Sequence, residues 1–202
     1  VPDTVTVIFQ QPTAATLTFA GYDLLNTTQD YGVSGKSAEV VLMVGNVGLT
    51  SASNCTAVIS CQTSGISFEP SNLSFPTING GEMVESNQSF EVQIPATTPN
   101  NSVILFKIEL FINGTLHHTD LLPLPVYAPI ISFGNAVWND ILGGNGNGIM
   151  ERGEVVLISI PVHNLGGAES DSLFLRVSNV IGHFSIPNVN EKMAPLAPSS
   201  TA

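Results

Sequence analysis

Apolar and polar residues alternate along much of the chain with the period of two that is typical of β-strands. The clearest example is 103–112, whose apolar positions would share one face of a sheet: Ile104, Phe106, Ile108, Leu110 and Ile112. Asn113-Gly114 follows directly, and this dipeptide favours a two-residue hairpin turn because both residues tolerate positive φ. The pattern predicts a hairpin whose return strand runs from Thr115 to about Leu124.

Three more segments alternate in the same way, at 38–44, 90–94 and 155–162. Helical periodicity is hard to find, and clusters of Gly, Pro and Asn separate the apolar segments. Short strands between such clusters predict an all-β chain built of antiparallel β-sandwiches.

The chain also resembles itself. Leu17–Asn26 aligns with Ile131–Asp140 at an offset of 114 residues, and Ala38–Gly48 aligns with Val156–Gly166 at an offset of 118. The four extra residues of the second copy fall in the loop between the two aligned blocks. Such a repeat predicts tandem modules. It also aligns Trp138 with Leu24, so we expect a core or half-buried tryptophan.

The positions at which the repeat starts and ends determine the expected domain boundaries. Residues 5–12 align with 119–126, the last predicted strand of the first copy. We therefore predict a closing strand of a preceding module, or an N-terminal strand, at 1–11, a first β-sandwich at 12–125 and a second, incomplete one at 126–202. This arrangement is expected of a piece of a longer multidomain protein. The alternative is a natural chain with a smaller second domain.

An incomplete sandwich would expose an apolar face and unpaired strand edges. We expect the second module to cover that face by forming a homodimer, by strand exchange or by packing on the first module.

Charge narrows the classes of partner. Sixteen Asp and Glu face five Lys and Arg, which gives a net charge of -11. Such a chain repels phosphate groups, so we expect no nucleic-acid partner and no attraction to anionic membranes. The apolar stretches are too short, or too interrupted by proline, to insert into a membrane. Scarce lysine with abundant Ser, Thr, Asn and Gly favours a secreted or cell-surface location.

The loop that holds the four extra residues fits the calcium-loop pattern D-x-[DN]-x-[DN]-G-x5-E. Calcium takes roughly six to eight oxygen ligands from carboxylates, amides and carbonyls, and alternate residues of a tight loop can supply them. Position 1 is Gly143 instead of Asp, and Asp140 would replace it if the loop bulges. The predicted ligands are Asp140, Asn145, Asn147, Ile149 through its carbonyl, Glu151 and Glu154.

The first copy serves as an internal control for this calcium prediction. Its loop is four residues shorter, and Lys36 stands where the second copy has Glu154. We therefore expect calcium only in the second copy, in a structural role that clamps the loop to the following strand. The alternative is a Gly/Asn-rich turn without metal.

The segment from Asn145 to Glu154, followed by a strand and by His163-Asn-Leu-Gly-Gly-Ala168, resembles the immunoglobulin-like modules of secreted bacterial proteins. Such modules accompany gingipain-type cysteine peptidases and include the bacterial cell-adhesion-related domain. Their usual loop is Asp-x-Asn-Gly-Asp-Gly, and this chain departs from it at Gly143 and Asn147. The resemblance implies a non-catalytic, immunoglobulin-like β-sandwich in an exported multidomain protein.

Other reactive side chains favour no catalytic site. Cys55 and Cys61 share one strand face and would lie roughly 20 Å apart if extended, so buried free thiols are expected unless a turn intervenes. His117 and His118 point to opposite faces of a strand and cannot chelate one ion. We therefore predict that this chain is not an enzyme, while its parent protein could be a secreted hydrolase.

Two functions remain open from the sequence. The first is a structural or adhesive tandem module whose partners are other domains of the parent protein and a cell-surface protein or glycan. The alternative is a ligand-binding accessory module, for glycan or protein, of a secreted peptidase or other hydrolase.

Overall fold

The computed structural model describes residues 10–177, 185 and 190–201, and all the regular secondary structure in these residues is β-strand. The all-β prediction is therefore confirmed. The chain divides into two compact units. Unit 1 comprises the residues up to 98 together with 102–126, and unit 2 comprises 99–101 together with the residues from 127 onward. Most of the predicted strand at 1–11 lies outside the described residues.

Unit 1 contains two antiparallel sheets. Sheet A consists of β1 (Leu17–Leu24), β3 (Ser37–Asn46), β5 (Ser67–Glu69), β7 (Met83–Glu85) and β8 (Phe90–Gln93). Sheet B consists of β2 (Gly32–Val33), β4 (Cys55–Cys61), β6 (Asn72–Ser74), β9 (Ser102–Ile112) and β10 (Thr115–Tyr127). The strand order is β1-β3-β8-β5 in sheet A, with β7 on another part of β3, and β2-β10-β9-β4-β6 in sheet B.

The inward faces of the two sheets share one apolar core. Phe90 of sheet A and Phe106 of sheet B meet edge to face with ring centroids 5.5 Å apart, and Phe68 contacts both rings. The predicted alternation of β9 is confirmed, because its five inward side chains are all buried. Burial of these apolar side chains is the main force that holds the sheets together.

The β9–β10 hairpin turns where the sequence predicts. Asn113 has φ 50° and Gly114 has φ 77°, the left-handed pair that a type I′ turn requires. The return strand β10 continues past the predicted end at Leu124 and stops at Tyr127.

Unit 2 contains three two-stranded antiparallel pairs among its described residues. They are β11 (Ile131–Phe133) with β14 (Val162–Asn164), β12 (Val137–Asn139) with β13 (Leu157–Ser159), and β15 (Leu173–Arg176) with β16 (Asn190–Met193). The strand predicted over 155–162 is divided into β13 and β14 at Ile160-Pro161, since proline has no N–H to donate to a ladder.

The strand pairing of unit 1 recurs in unit 2 with the sequence offsets of 114 and 118 residues. Three cross-strand partners of unit 1 have equivalents in unit 2. Leu17 opposite Asn46 corresponds to Ile131 opposite Asn164, and Leu24 opposite Val40 corresponds to Trp138 opposite Ile158. Thr56 opposite Ser74 corresponds to Phe174 opposite Lys192. The internal repeat thus extends from the amino-acid sequence to the backbone register. The finer prediction of two immunoglobulin-like sandwiches stays a prediction.

No helix in the described part of the chain is long and apolar enough to cross a membrane.

Candidate functional site

The candidate calcium loop connects β12 to β13, and Asn139 paired with Leu157 closes its base. Asp140 is the first residue beyond β12, and it is only 3% exposed. Its Oδ2 accepts a hydrogen bond of 3.0 Å from the Gly148 N–H, while its carbonyl accepts one of 2.6 Å from the Gly144 N–H. The Trp138 indole N–H donates to the Gly148 carbonyl at 3.2 Å. Gly148 is therefore held to the end of β12 through both its N–H and its carbonyl.

Glu151 joins the two predicted amide ligands. Its Oε2 accepts from Asn145 Nδ2 at 2.6 Å and from Asn147 Nδ2 at 3.3 Å. The amide oxygens cap the backbone two residues on: Asn145 Oδ1 accepts from the Asn147 N–H, and Asn147 Oδ1 accepts from the Ile149 N–H. These successive Asx turns give the loop its tight curvature.

Glu154 spans the loop with both carboxylate oxygens. Oε1 accepts from the Asn145 N–H at 3.1 Å, and Oε2 accepts from the Glu151 N–H at 3.0 Å. A Cβ added to Gly144 would lie 2.9 Å from the Glu154 carboxyl carbon and 3.0 Å from Asp140 Cβ. Asp140 and Glu154 therefore lie close together beside Gly144, where a larger residue would not fit.

The structure thus gathers all the predicted side-chain ligands in one loop. Ile149 enters the loop network through its N–H, and the role predicted for its carbonyl stays a prediction. Across the described residues, no set of three or more His, Cys, Asp or Glu side chains is arranged to hold a metal ion. In the loop, the carboxylate oxygens accept hydrogen bonds from N–H groups of the same loop.

The chemistry of the loop nevertheless fits a hard cation. Carboxylate, amide and carbonyl oxygens are the ligands that calcium prefers. Asp140, Glu151 and Glu154 make no ion pair with a described Lys, Arg or His side chain, so their negative charges are offset only by N–H dipoles. A divalent cation would compensate this charge more fully, because three carboxylates in one short loop repel one another.

The equivalent turn of unit 1 shares two backbone features with the end of this loop but differs in its side chains. Gly35 and Gly153 both have positive φ, 81° and 93°. The Lys36 N–H donates to the Val33 carbonyl just as the Glu154 N–H donates to the Glu151 carbonyl. Lys36 therefore occupies the position of Glu154, as the sequence alignment predicts, and an ammonium group replaces the carboxylate.

Trp138 differs from the prediction. It pairs with Ile158 as Leu24 pairs with Val40, but its side chain is 47% exposed instead of core or half-buried. The alignment identified the position correctly. It could not show that the apolar layer which covers Leu24 in unit 1 is missing over Trp138 in the described part of unit 2.

The thiols and histidines lie apart from the loop. Both cysteines are free, and Cys55 is buried as predicted, whereas Cys61 is only half-buried. Burial raises the pKa of both thiols, and at Cys61 hydrogen bonding with Thr63 partly opposes the increase. His118 Nε2 lies 3.4 Å from Asp120 Oδ2, and His117 is exposed where the β9–β10 register shifts.

No protein-family model matches the chain, and a search of the curated proteins gives no significant match. The fold itself defines the class, which is an all-β chain with an internally repeated strand register.

Proposed function

We propose that this chain is a non-catalytic structural or adhesive pair of immunoglobulin-like modules from a secreted or cell-surface multidomain protein. In this proposal the loop at 140–154 binds a structural calcium ion, and unit 1 binds none. The partners are other domains of the parent protein and a cell-surface protein or glycan.

One observation carries the proposal: Asp140, Glu151 and Glu154 share a loop with two amide side chains, and no described cationic side chain pairs with them. Asp140 lies at the end of β12 and Glu154 just before β13. An ion bound by both would fasten the two ends of the loop together. Bound calcium would supply positive charge and would be coordinated by the loop oxygens, so the contribution is to stability and not to a reaction.

The experiment exploits Trp138, the one tryptophan in the chain, whose indole bonds to the loop at Gly148. Chelator-treated protein is titrated with calcium chloride while tryptophan emission and heat are recorded. We expect saturable changes with a dissociation constant on the order of 10⁻⁴–10⁻³ M, the range of extracellular modules. Magnesium should give a weaker response, because its smaller, strictly octahedral shell suits this loop poorly.

Matched variants make the test specific. Glu154→Gln removes one carboxylate from the loop and should abolish or strongly weaken the response. Glu169→Gln changes an exposed carboxylate elsewhere in unit 2 and should leave the response intact. The calcium proposal is rejected if millimolar calcium gives neither heat nor an emission change, or if Glu154→Gln titrates like the parent chain.

A second candidate, the ligand-binding accessory module, has one observation in its favour. Trp138 and Phe133 are 47% and 60% exposed in unit 2, and exposed aromatic rings can stack on sugars or anchor a protein partner. Titration with soluble oligosaccharides distinguishes the candidates, because a glycan that stacks on Trp138 changes its emission in the absence of calcium.

A further inference from the structure

Unit 2 leaves apolar residues exposed or half-buried at six positions whose counterparts in unit 1 belong to the core or pack against it. We call this set of residues the open face, and it consists of Phe133, Trp138 and Ile158 together with Ile160, Leu173 and Leu175. The first three are 60%, 47% and 53% exposed, and the other three are half-buried. Large contiguous apolar surfaces are typical of interaction sites.

The internal repeat shows that the open face corresponds to the core of unit 1. Its six positions align with Phe19, Leu24, Val40, Leu42, Cys55 and Ala57. In unit 1, Val40, Leu42 and Ala57 are fully buried, Cys55 is 1% exposed, and Phe19 and Leu24 pack against the core. Each of the six positions is therefore more exposed in unit 2 than its equivalent in unit 1.

Unit 1 also shows what covers such a face. Strand β8 pairs with the first half of β3, and Val40 lies opposite Phe90. Strand β9 pairs with the whole of β4, from Cys55 opposite Ile112 to Cys61 opposite Phe106. These strands and β10 bring the apolar side chains that bury Val40 and its neighbours.

Among the described residues no strand pairs with the matching edges of unit 2, although the Val155 N–H donates to the Gly143 carbonyl within the loop. The counterpart of the β8-pairing edge is 155–158, next to β13, and the counterpart of the β9-pairing edge is β15. Strand β13 pairs with β12, and β15 pairs with β16, so each offers its other edge. Free N–H and C=O groups beside an apolar surface can accept an added strand.

We infer that the open face docks a polypeptide segment built like β8–β10 of unit 1, which adds one strand along 155–158 and another along Leu173–Arg176. The segment would present alternating apolar residues inward, as Phe90, Phe106 and Ile108 do in unit 1. A second copy of the open face fits less well, because face-to-face packing would leave the free backbone edges of both copies unpaired. The inference goes beyond the proposed function and does not depend on calcium.

The test supplies the segment directly. The full chain is extended after position 202 by a second copy of residues 85–127, so that the offset of 118 residues continues without interruption. All measurements are made in chelator. We expect tryptophan emission to shift to shorter wavelength, acrylamide quenching of Trp138 to fall, and binding of an apolar dye to decrease relative to the unextended chain. A control extension carries Phe106→Asp and Ile108→Asp in the added copy only, and it should leave all three readings unchanged.

Two results would overturn the inference. The first is an extended chain in which Trp138 remains as accessible to acrylamide as in the control extension. The second is a dimer of the unextended chain in light scattering that Ile158→Asp dissociates and Phe174→Ser does not. Phe174 is the control position because it is 76% exposed and aligns with the outward-facing Thr56. That result would identify a second copy as the occupant.

Discussion

Asn46 and Asn164 make the same hydrogen bonds at equivalent positions of the two units. Both side chains are buried, at 1% and 0% exposure. In each, Oδ1 accepts from two backbone N–H groups and Nδ2 donates to backbone carbonyls. The shared partners are Thr16 N, Gly48 N, Thr50 O and Ile78 O for Asn46, and Ile130 N, Gly166 N, Ala168 O and Leu196 O for Asn164. One amide therefore ties together three separate segments of each unit.

Replacing either asparagine should destabilise its own unit. Asn46→Ala removes the partner of the Thr16 N–H, the Gly48 N–H and the Thr50 carbonyl, whereas the Ile78 carbonyl still accepts from the Ala52 N–H. Each buried unpaired group costs about 1–3 kcal/mol, so we expect a loss of about 3 kcal/mol after local relaxation. Asn46→Asp should be nearly as harmful, because the second oxygen faces the Thr50 and Ile78 carbonyls. Urea unfolding followed by circular dichroism measures the loss.

The control for this prediction is Asn72→Ala, which changes an exposed asparagine in β6 and should alter the free energy of unfolding by less than about 0.5 kcal/mol. Equal effects of Asn46→Ala and Asn72→Ala would show that the buried amide does not stabilise unit 1 as argued.

The glycines two residues later should be equally intolerant of substitution. A Cβ on Gly48 would lie 1.9 Å from the Ala14 carbonyl oxygen, and one on Gly166 would lie 2.1 Å from the Ala128 carbonyl oxygen. Because the obstacle is backbone, we expect Gly48→Ala to cost about 2 kcal/mol or more. Thermal unfolding should show the effect, whereas Val47→Ala, at an exposed neighbour, should unfold like the parent chain.

The sequence predicts some strands better than others for a physical reason. Strand β9 alternates over its whole length because one face meets the core and the other meets solvent, so its pattern determines both position and orientation. The stretch 155–162 shows the same alternation, but Pro161 interrupts its ladder, and Ile158 is exposed where the aligned Val40 is buried. Alternation indicates which residues could face a core, and it does not show whether a second sheet is present to cover them.

The candidate loop was predictable because its spacing is local. The positions of Asn145, Asn147, Glu151 and Glu154 follow from the motif alone. The burial of Asp140 depends on its place at the end of β12, and the buried amides of Asn46 and Asn164 depend on carbonyls up to 33 residues away in sequence. Asparagine is normally a surface residue, so composition and periodicity gave no signal for these contacts.

The aromatic contact between the sheets should dominate the stability of unit 1. Phe106 is fully buried and meets both Phe68 and Phe90 edge to face. We expect Phe106→Ala to cost about 3–5 kcal/mol through lost burial and the cavity it leaves. Phe174→Ala, at a 76% exposed ring, should change the free energy of unfolding by less than about 0.5 kcal/mol. Denaturant titration of both variants compares them directly, and similar losses would contradict this description of the core.

Cys55 and Cys61 should react slowly with thiol reagents in the folded chain. Burial raises the pKa of each thiol, so less of the reactive thiolate is present at a given pH than in the unfolded chain. The labelling rate of the urea-unfolded chain should therefore level off at a lower pH than the labelling rate of the native chain, which continues to increase as the pH rises further. Stopped-flow labelling with a chromogenic disulfide measures both rates. Native Cys61 that reacts as fast as the urea-unfolded thiol would contradict the prediction.

Exchanging the charges at Lys36 and Glu154 distinguishes the effect of loop length on calcium binding from the effect of the charged side chain. Glu154→Lys gives unit 2 the residue of unit 1, and it should abolish the calcium response because an ammonium group then lies beside Asp140. Lys36→Glu should not create a response in unit 1, since its loop lacks the four residues that place Asn145 and Asn147 against Glu151. Calcium titration of the double variant, Lys36→Glu with Glu154→Lys, measures binding by unit 1 alone, because the site in unit 2 is disabled. Saturable heat from this variant would contradict the prediction, since it would show that one carboxylate, and not the longer loop, limits calcium binding.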